Sequence, residues 1–362
     1  MDKIMRKITS QARVGSVVIG GDAPVVIQSM TNTKTADTAA TLDQVNRLFE
    51  AGCELIRLAV PDHQSVRSFS KIAAKSPVPL IADIHFDANL AHEALENGAS
   101  KIRINPGNIG GKENLVKLAR RAEKEKAAIR IGVNAGSLER NILKKHGKAT
   151  AGALVESALG YLEVLEQENF TNLVVSLKAS DVVTTIKAYR LFAEEKKYPL
   201  HLGVTGAGPY ERGLIKGAVG IGTLLAEGIG DTLRVSLTAP PEEEVRVARH
   251  ILQVLGLRHF MPELISCPTC GRCEIDLVSL AGEVEKIIKD YSLPVKVAVM
   301  GCAVNGPGEA READLGVTAG KKQGLLFSYG EVIRTVKFEQ LLDALKEELE
   351  LLKSRQEKAG GK

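Results

Sequence analysis

The chain has 362 residues and a near-even charge balance, 48 Lys and Arg against 44 Asp and Glu, or +4 at neutral pH. With 44% hydrophobic residues and a mean hydropathy of −0.01, it has the balance of a globular protein with ample core, which excludes a disordered or fibrous chain and a single small module. Aromatic residues at 4%, no Trp and a mild charge excess argue against a nucleic-acid partner, and no run of about 18 apolar residues is present to span a membrane.

The opening MDKIMRKITSQARVG is basic but lacks the apolar stretch of a secretory signal, so a cytoplasmic location is expected. Short β-type runs then alternate with helical patterns: Val25–Ser29, Leu55–Ala59, Leu80–Ile84, Lys101–Asn105, Ile129–Val133, Leu173–Leu177, Leu200–Val204 and Thr232–Leu237. Eight such units in about 250 residues predict a (β/α)8 barrel. A doubly wound sheet would carry a glycine fingerprint after its first strand, where Met30-Thr31-Asn32-Thr33 stands instead. Past a helical stretch around Pro241–Leu255, a second α/β region is predicted. It has a helix near Val278–Asp290, a strand Val295–Met300, short strands near Gly316–Thr318 and Leu325–Ser328, and a last helix striped by Phe338, Leu341, Leu342, Leu345, Leu349 and Leu352.

Four barrel strands place an arginine between aliphatics, at Arg57, Arg103, Arg130 and Arg234, and a fifth carries Lys178. Side chains alternate faces along a strand, so the aliphatics are expected to pack on the helices and the cations to point into the barrel. Five cations exceed the obvious internal carboxylates, of which Asp83 is the best. An unpaired buried guanidinium costs several kcal/mol, so the remaining solution is an anionic substrate with about two phosphates at the C-terminal mouth, where barrels place their sites. At the same strand ends lie Asp83, His85, Asn105, Asn108, Asn134, Ser176, Thr205 and Ser236, each as open to a structural role as to a catalytic one. His63, His92, His146, His250 and His259 fall in helical or loop context and are assigned no function.

Four of the five cysteines fall in the last hundred residues. Cys267-Pro-Thr-Cys270 with Cys302 further on is a metal pattern, since a cytosolic chain is a poor setting for disulfides. Zinc would want a fourth Cys or His at matching spacing, which Cys302 lacks. Three cysteines and a labile fourth ligand suit an iron–sulfur cluster better, and both readings stay open on spacing. Cys273 makes the run resemble a ferredoxin's, without the cysteine and proline that should follow. Cys53 reads as a small core hydrophobe.

Taken together, QSMTNT, IADIHF, KIRINPGN, IRIGVNAGSL, GIGDTLRVSLTA, CPTCGR and GCAVNGPGEA resemble the 4-hydroxy-3-methylbut-2-en-1-yl diphosphate synthases, iron–sulfur reductases of the non-mevalonate isoprenoid pathway, from about residue 10 to about 350. The resemblance implies a TIM-type barrel over 1–258 that binds the substrate diphosphate. It implies a small α/β domain of the sulfite/nitrite reductase type over 259–362 that holds a 4Fe-4S cluster. The implied cluster ligands are Cys267, Cys270, Cys302 and a displaceable Glu309, with Cys273 set aside. Implied substrate contacts are Arg57, Arg103, Arg130, Asn134, Lys178, Thr205, Arg234 and Ser236, and implied catalytic groups are Glu309, Asn305, Asp83 and His85. The family's reaction opens and dehydroxylates 2-C-methyl-D-erythritol 2,4-cyclodiphosphate with electrons from flavodoxin or ferredoxin, in a homodimer. A zinc-stabilised phosphate-binding barrel without redox chemistry is the rival reading. One departure stands out: where the family reads T-E-A-G after the seventh strand, this chain has Thr205-Gly206-Ala207-Gly208, which leaves the proton donor unassigned.

Overall fold

The computed structural model describes residues 4–84, 87–105, 110–206, 208–273, 275–291, 293–302, 308, 310–320 and 323–360. It divides into two compact units, Met1–Arg258 and His259–Lys362.

In the first unit a short hairpin, β1 (Ala12–Val14) and β2 (Val17–Ile19), precedes eight parallel strands. These are β3 (Val26–Met30), β4 (Leu55–Ala59), β5 (Leu80–Ile84), β6 (Lys101–Ile104), β7 (Ala128–Asn134), β8 (Leu173–Lys178), β9 (His201–Leu202) and β10 (Thr232–Leu233). They run in the order β8-β7-β6-β5-β4-β3-β10-β9, and a parallel bridge between Val175 and Leu200 joins the two ends into a barrel. Between them lie α1 (Thr38–Glu50), α2 (His63–Ala73), α3 (Ala88–Glu96), α4 (Lys112–Lys124), α5 (Arg140–His146), α6 (Ala151–Gln167), α7 (Val182–Glu195) and α8 (Tyr210–Ala226), and α9 (Pro241–Val254) follows β10.

Aspartates start several of these helices, because a side-chain oxygen satisfies an otherwise orphaned backbone N–H. Asp37 accepts from Ala40 N at 3.1 Å, Asp62 from Ser65 N at 2.7 Å, Asp87 from Asn89 N at 2.8 Å and Asp181 from Thr184 N at 2.7 Å. The caps hold the strand-to-helix turns, and so the strand ends, in place. At the other end of the barrel the hairpin acts as a plug: Ala12, Val14 and Ile19 pack on Val26, Leu55, Ile81, Ala128 and Val174. Its strands are three residues each, too short for an alternation to be read from sequence. Cys53 is buried as expected, its thiol donating to Leu55 O at 3.2 Å and pushed by burial up to about 12.

In the second unit β11 (Glu263–Ser266), β12 (Lys296–Met300) and β13 (Leu315–Ala319) are parallel, and β14 (Gln323–Ser328) and β15 (Glu331–Lys337) add antiparallel strands in that order. Helices α10 (Leu277–Ile288) and α11 (Leu341–Gly360) share one core with β12 and β13, through Leu280, Val284, Val297, Val317, Leu345 and Leu349. On the other side Ala298, Met300, Ala310, Ala313 and Phe327 form a smaller cluster. The residues of β15 are almost all exposed, so no apolar alternation marks it in the sequence.

Candidate active site: a buried cation cluster and a cysteine edge

Parallel register brings the strand cations together. Asp83 stands opposite Arg103 and Arg103 opposite Arg130 across β5, β6 and β7. Arg103 Nη1 donates to Asp83 Oδ1 at 3.3 Å, and Arg57 Nε lies 3.8 Å from Asp83 Oδ2. Arg57 also leans on the Met30 sulfur, with Nε at 3.2 Å and Nη2 at 3.0 Å. Arg130 is 2% exposed, and its Nε and Nη1, like Arg103 Nε, are buried without an acceptor among the described residues. Burial holds the Arg57 guanidinium down at about 10, helped by Arg234 and Arg103 and opposed by Asp83. Burial and the neighbouring cations likewise hold Arg130 and Lys178 well below their ordinary values.

Two glycines, Gly132 in β7 and Gly203 just past β9, make room for this crowding. A side chain at Gly132 would meet Arg103 Nε at 2.8 Å, and one at Gly203 would meet Lys178 Nζ at 2.5 Å. Buried cations without counter-charge are costly, and the donors left open are the complement of an anionic ligand.

Arg234 departs from this pattern. Its Nε and Nη2 each reach a Glu244 oxygen at 3.0 Å, and the same carboxylate accepts from Ser29 Oγ at 3.0 Å and Leu237 N at 3.2 Å. Glu244, on α9 and 4% exposed, is an internal carboxylate that the strand pattern alone did not reveal. Of the polar strand ends, Asn105 Nδ2 donates to Ser137 Oγ at 2.8 Å, Ser176 is buried beside Gly132, and Thr205 N donates to Ala179 O at 3.2 Å. Asn134 stands opposite Lys178 at the ends of β7 and β8, and Ser236 is half-buried past β10. His85, Asn108, Asn305 and Glu309 lie outside the described residues.

In the second unit, β11 and β12 are parallel neighbours with Ser266 opposite Val299, so Cys267 and Cys302 leave the sheet at the same edge. Gly301 N donates to Cys267 Sγ at 3.3 Å. A methyl group at Gly301 would stand 2.8 Å from Cys273 Sγ and 3.6 Å from Cys267 Sγ, so Cys273, set aside on sequence, lies at the same edge. Cys270 is exposed, and hydrogen bonds from Arg272 hold its thiol below the ordinary value. Among the described residues no three Cys, His, Asp or Glu side chains already form a cage for one ion. The soft donors nonetheless fit a thiolate-bound iron–sulfur cluster: two loops deliver cysteines to one edge, and a backbone N–H already faces a sulfur.

The GcpE TIM-barrel domain family matches residues 9–249 and the GcpE protein C-terminal domain family matches residues 263–351. The chain belongs to the GcpE family. It is 53% identical over 342 residues to 4-hydroxy-3-methylbut-2-en-1-yl diphosphate synthase (flavodoxin) of Clostridium acetobutylicum, covering 94% of this chain and 98% of that protein. The enzyme of the same name from Geobacter sulfurreducens is also 53% identical, over 346 residues, covering 96% of this chain and 98% of that one. Among solved structures, a spore coat polysaccharide biosynthesis protein of Bacillus subtilis shares the barrel fold alone, with a TM-score of 0.50 at 9% identity, covering 68% of this chain and 74% of that one.

Proposed function

We propose that the chain catalyses the reductive ring opening and dehydroxylation of 2-C-methyl-D-erythritol 2,4-cyclodiphosphate to 4-hydroxy-3-methylbut-2-enyl diphosphate and water. The observation that carries this reading is the largely buried cluster of Arg57, Arg103, Arg130 and Lys178, which among the described residues has more N–H donors than the carboxylate Asp83 beside it can satisfy. Two linked phosphates supply the missing acceptors in a geometry that guanidinium forks favour.

Arg103, through the Nε left open beside Gly132, and Arg130 and Lys178 bind the phosphate oxygens. Arg57, held by Met30 and Asp83, closes one side, and Glu244 fixes the Arg234 fork so that little side-chain freedom is lost on binding. Asn134, Thr205 and Ser236 add neutral hydrogen bonds at the strand ends. Asp83, His85, Asn305 and Glu309 are assigned to the reacting end of the substrate, where a proton must reach the departing hydroxyl oxygen as water forms.

Cys267, Cys270, Cys302 and Glu309 would hold a 4Fe-4S cluster in an α/β unit of the sulfite/nitrite reductase type, and the cluster would supply the two electrons singly. Reduced flavodoxin is the donor this reading favours, with ferredoxin as the substitute. The working form is taken to be a cytoplasmic homodimer.

The test is anaerobic purification with iron, sulfide and zinc analysis and an optical spectrum, for the native chain and for Cys302→Ser. About four iron and four sulfide per native chain, falling sharply in the variant, supports the proposal. A colourless protein with bound zinc that resists cluster reconstitution contradicts it.

A further inference from the structure

Among the described residues, the inward strand cations carry more positive charge than the carboxylates facing them and a cyclic diphosphate together neutralise. Arg57, Lys101, Arg103, Arg130, Lys178 and Arg234 face Asp83 and Glu244. A doubly charged ligand at the mouth leaves two of those positive charges unmatched.

The surplus lies deep. Lys101, wholly buried, opens β6 two residues before Arg103, which sets it about 6–7 Å nearer the barrel's N-terminal end. The β1–β2 plug seals that end. Among the described residues the one hydrogen bond of its ammonium goes to Gln28 Oε1 at 3.5 Å, the outer limit of such a contact. Among the described residues Gln28 Nε2, Arg130 Nε and Nη1, and His201 Nε2 are also buried without a hydrogen-bond partner; Arg130 is within electrostatic reach of Lys101, and His201 of both. All four residues are at least nine-tenths buried. Arg130, with five N–H groups, has donors enough to serve the mouth and the floor at once. Apart from Gln28 Oε1, which Lys101 already engages, and one imidazole nitrogen whose role follows the His201 tautomer, these groups are N–H donors; such a set matches a small anion, since an apolar ligand would leave the donors orphaned and a cation would be repelled.

We propose that this floor, bounded by Gln28, Lys101, Arg130 and His201, binds a monovalent anion of halide size, separate from the ligand at the mouth. Burial and the surrounding cations push the Lys101 amine well below its ordinary value when nothing balances it, so a neutral lysine among ordered waters is the competing arrangement.

Crystals of the full chain grown with bromide replacing chloride, measured at the bromine absorption edge, decide between them. The expected result is an anomalous peak enclosed by the four residues, missing from Lys101→Met crystals grown the same way. Ordered water without anomalous signal, or peaks at exposed side chains only, overturns the proposal, and the native crystals give this answer even if the variant fails to fold. In solution at constant ionic strength, exchanging gluconate for bromide should raise the melting temperature of the native chain and leave Lys101→Met unmoved. An equal shift in both also overturns it.

Discussion

Asp83 and Arg103 meet at 3.3 Å across neighbouring strands, yet the arginine keeps its Nε buried with no acceptor among the described residues. One carboxylate thus holds two guanidiniums, since Arg57 approaches it at 3.8 Å, and neither is fully satisfied by it.

Asp83→Asn should therefore destabilise the ligand-free barrel. Removing the charge leaves Arg57 and Arg103 without their shared counter-ion, a loss of about 3 kcal/mol for a buried pair. Chemical denaturation of the variant checks this. A bound cyclic diphosphate should recover part of the loss, because it offers both arginines new acceptors. An unchanged midpoint would mean that Asp83 does not carry the pairing.

Arg130→Met should act with opposite signs on stability and binding. Removing a buried guanidinium whose Nε and Nη1 find no acceptor among the described residues stabilises the ligand-free chain by about 1 kcal/mol or more. Charged hydrogen bonds contribute about 1.5–3 kcal/mol, so affinity for the substrate should fall roughly 10- to 100-fold. Calorimetric binding alongside thermal unfolding separates the two effects, and a variant that loses both stability and affinity would refute the assignment.

The arginine positions were legible in the sequence because a period of two fixes which face a strand residue takes, and Arg57, Arg103 and Arg130 obey it. Lys101 shares that parity with Arg103 but stood at the edge of its run, where a lysine reads as a solvated strand end, and His201 opens a strand only two residues long. Glu244 was not legible as a partner: it belongs to a helix, and no sequence period ties a helix position to Arg234. Cys273 is set aside only by the family resemblance, and the turn that follows β11 carries its sulfur back to Gly301.

Acid should weaken the barrel through His201. Burial first, then Lys178, Arg130 and Lys101, hold its imidazole well below the ordinary 6.5, so the folded state keeps it neutral. The unfolded chain takes up a proton below about pH 6.5 that the folded chain does not, and stability from this group, present above that pH, is lost as pH falls, by about 1.4 kcal/mol per unit. His201→Gln should flatten the decline between pH 6.5 and 5 relative to the native chain. Parallel curves would rule out His201 as its source.

Gly206→Glu should be accepted by the active site at a small structural cost. Gly206 has φ of +60° and an added Cβ would meet Ser180 Cβ at an ordinary 3.6 Å, so the penalty is that of a left-handed non-glycine residue, roughly 1–2 kcal/mol. Turnover within about threefold of native is expected, and a large loss of rate with the fold intact would contradict it.

In the proposed reaction the cation cluster presents a cyclic diphosphate for reduction. Anaerobically reconstituted native chain, given 2-C-methyl-D-erythritol 2,4-cyclodiphosphate and a chemical one-electron reductant, should release 4-hydroxy-3-methylbut-2-enyl diphosphate, detected by mass spectrometry with two electrons consumed per product. A cluster-replete protein that binds the cyclodiphosphate and returns it unchanged would contradict the claim.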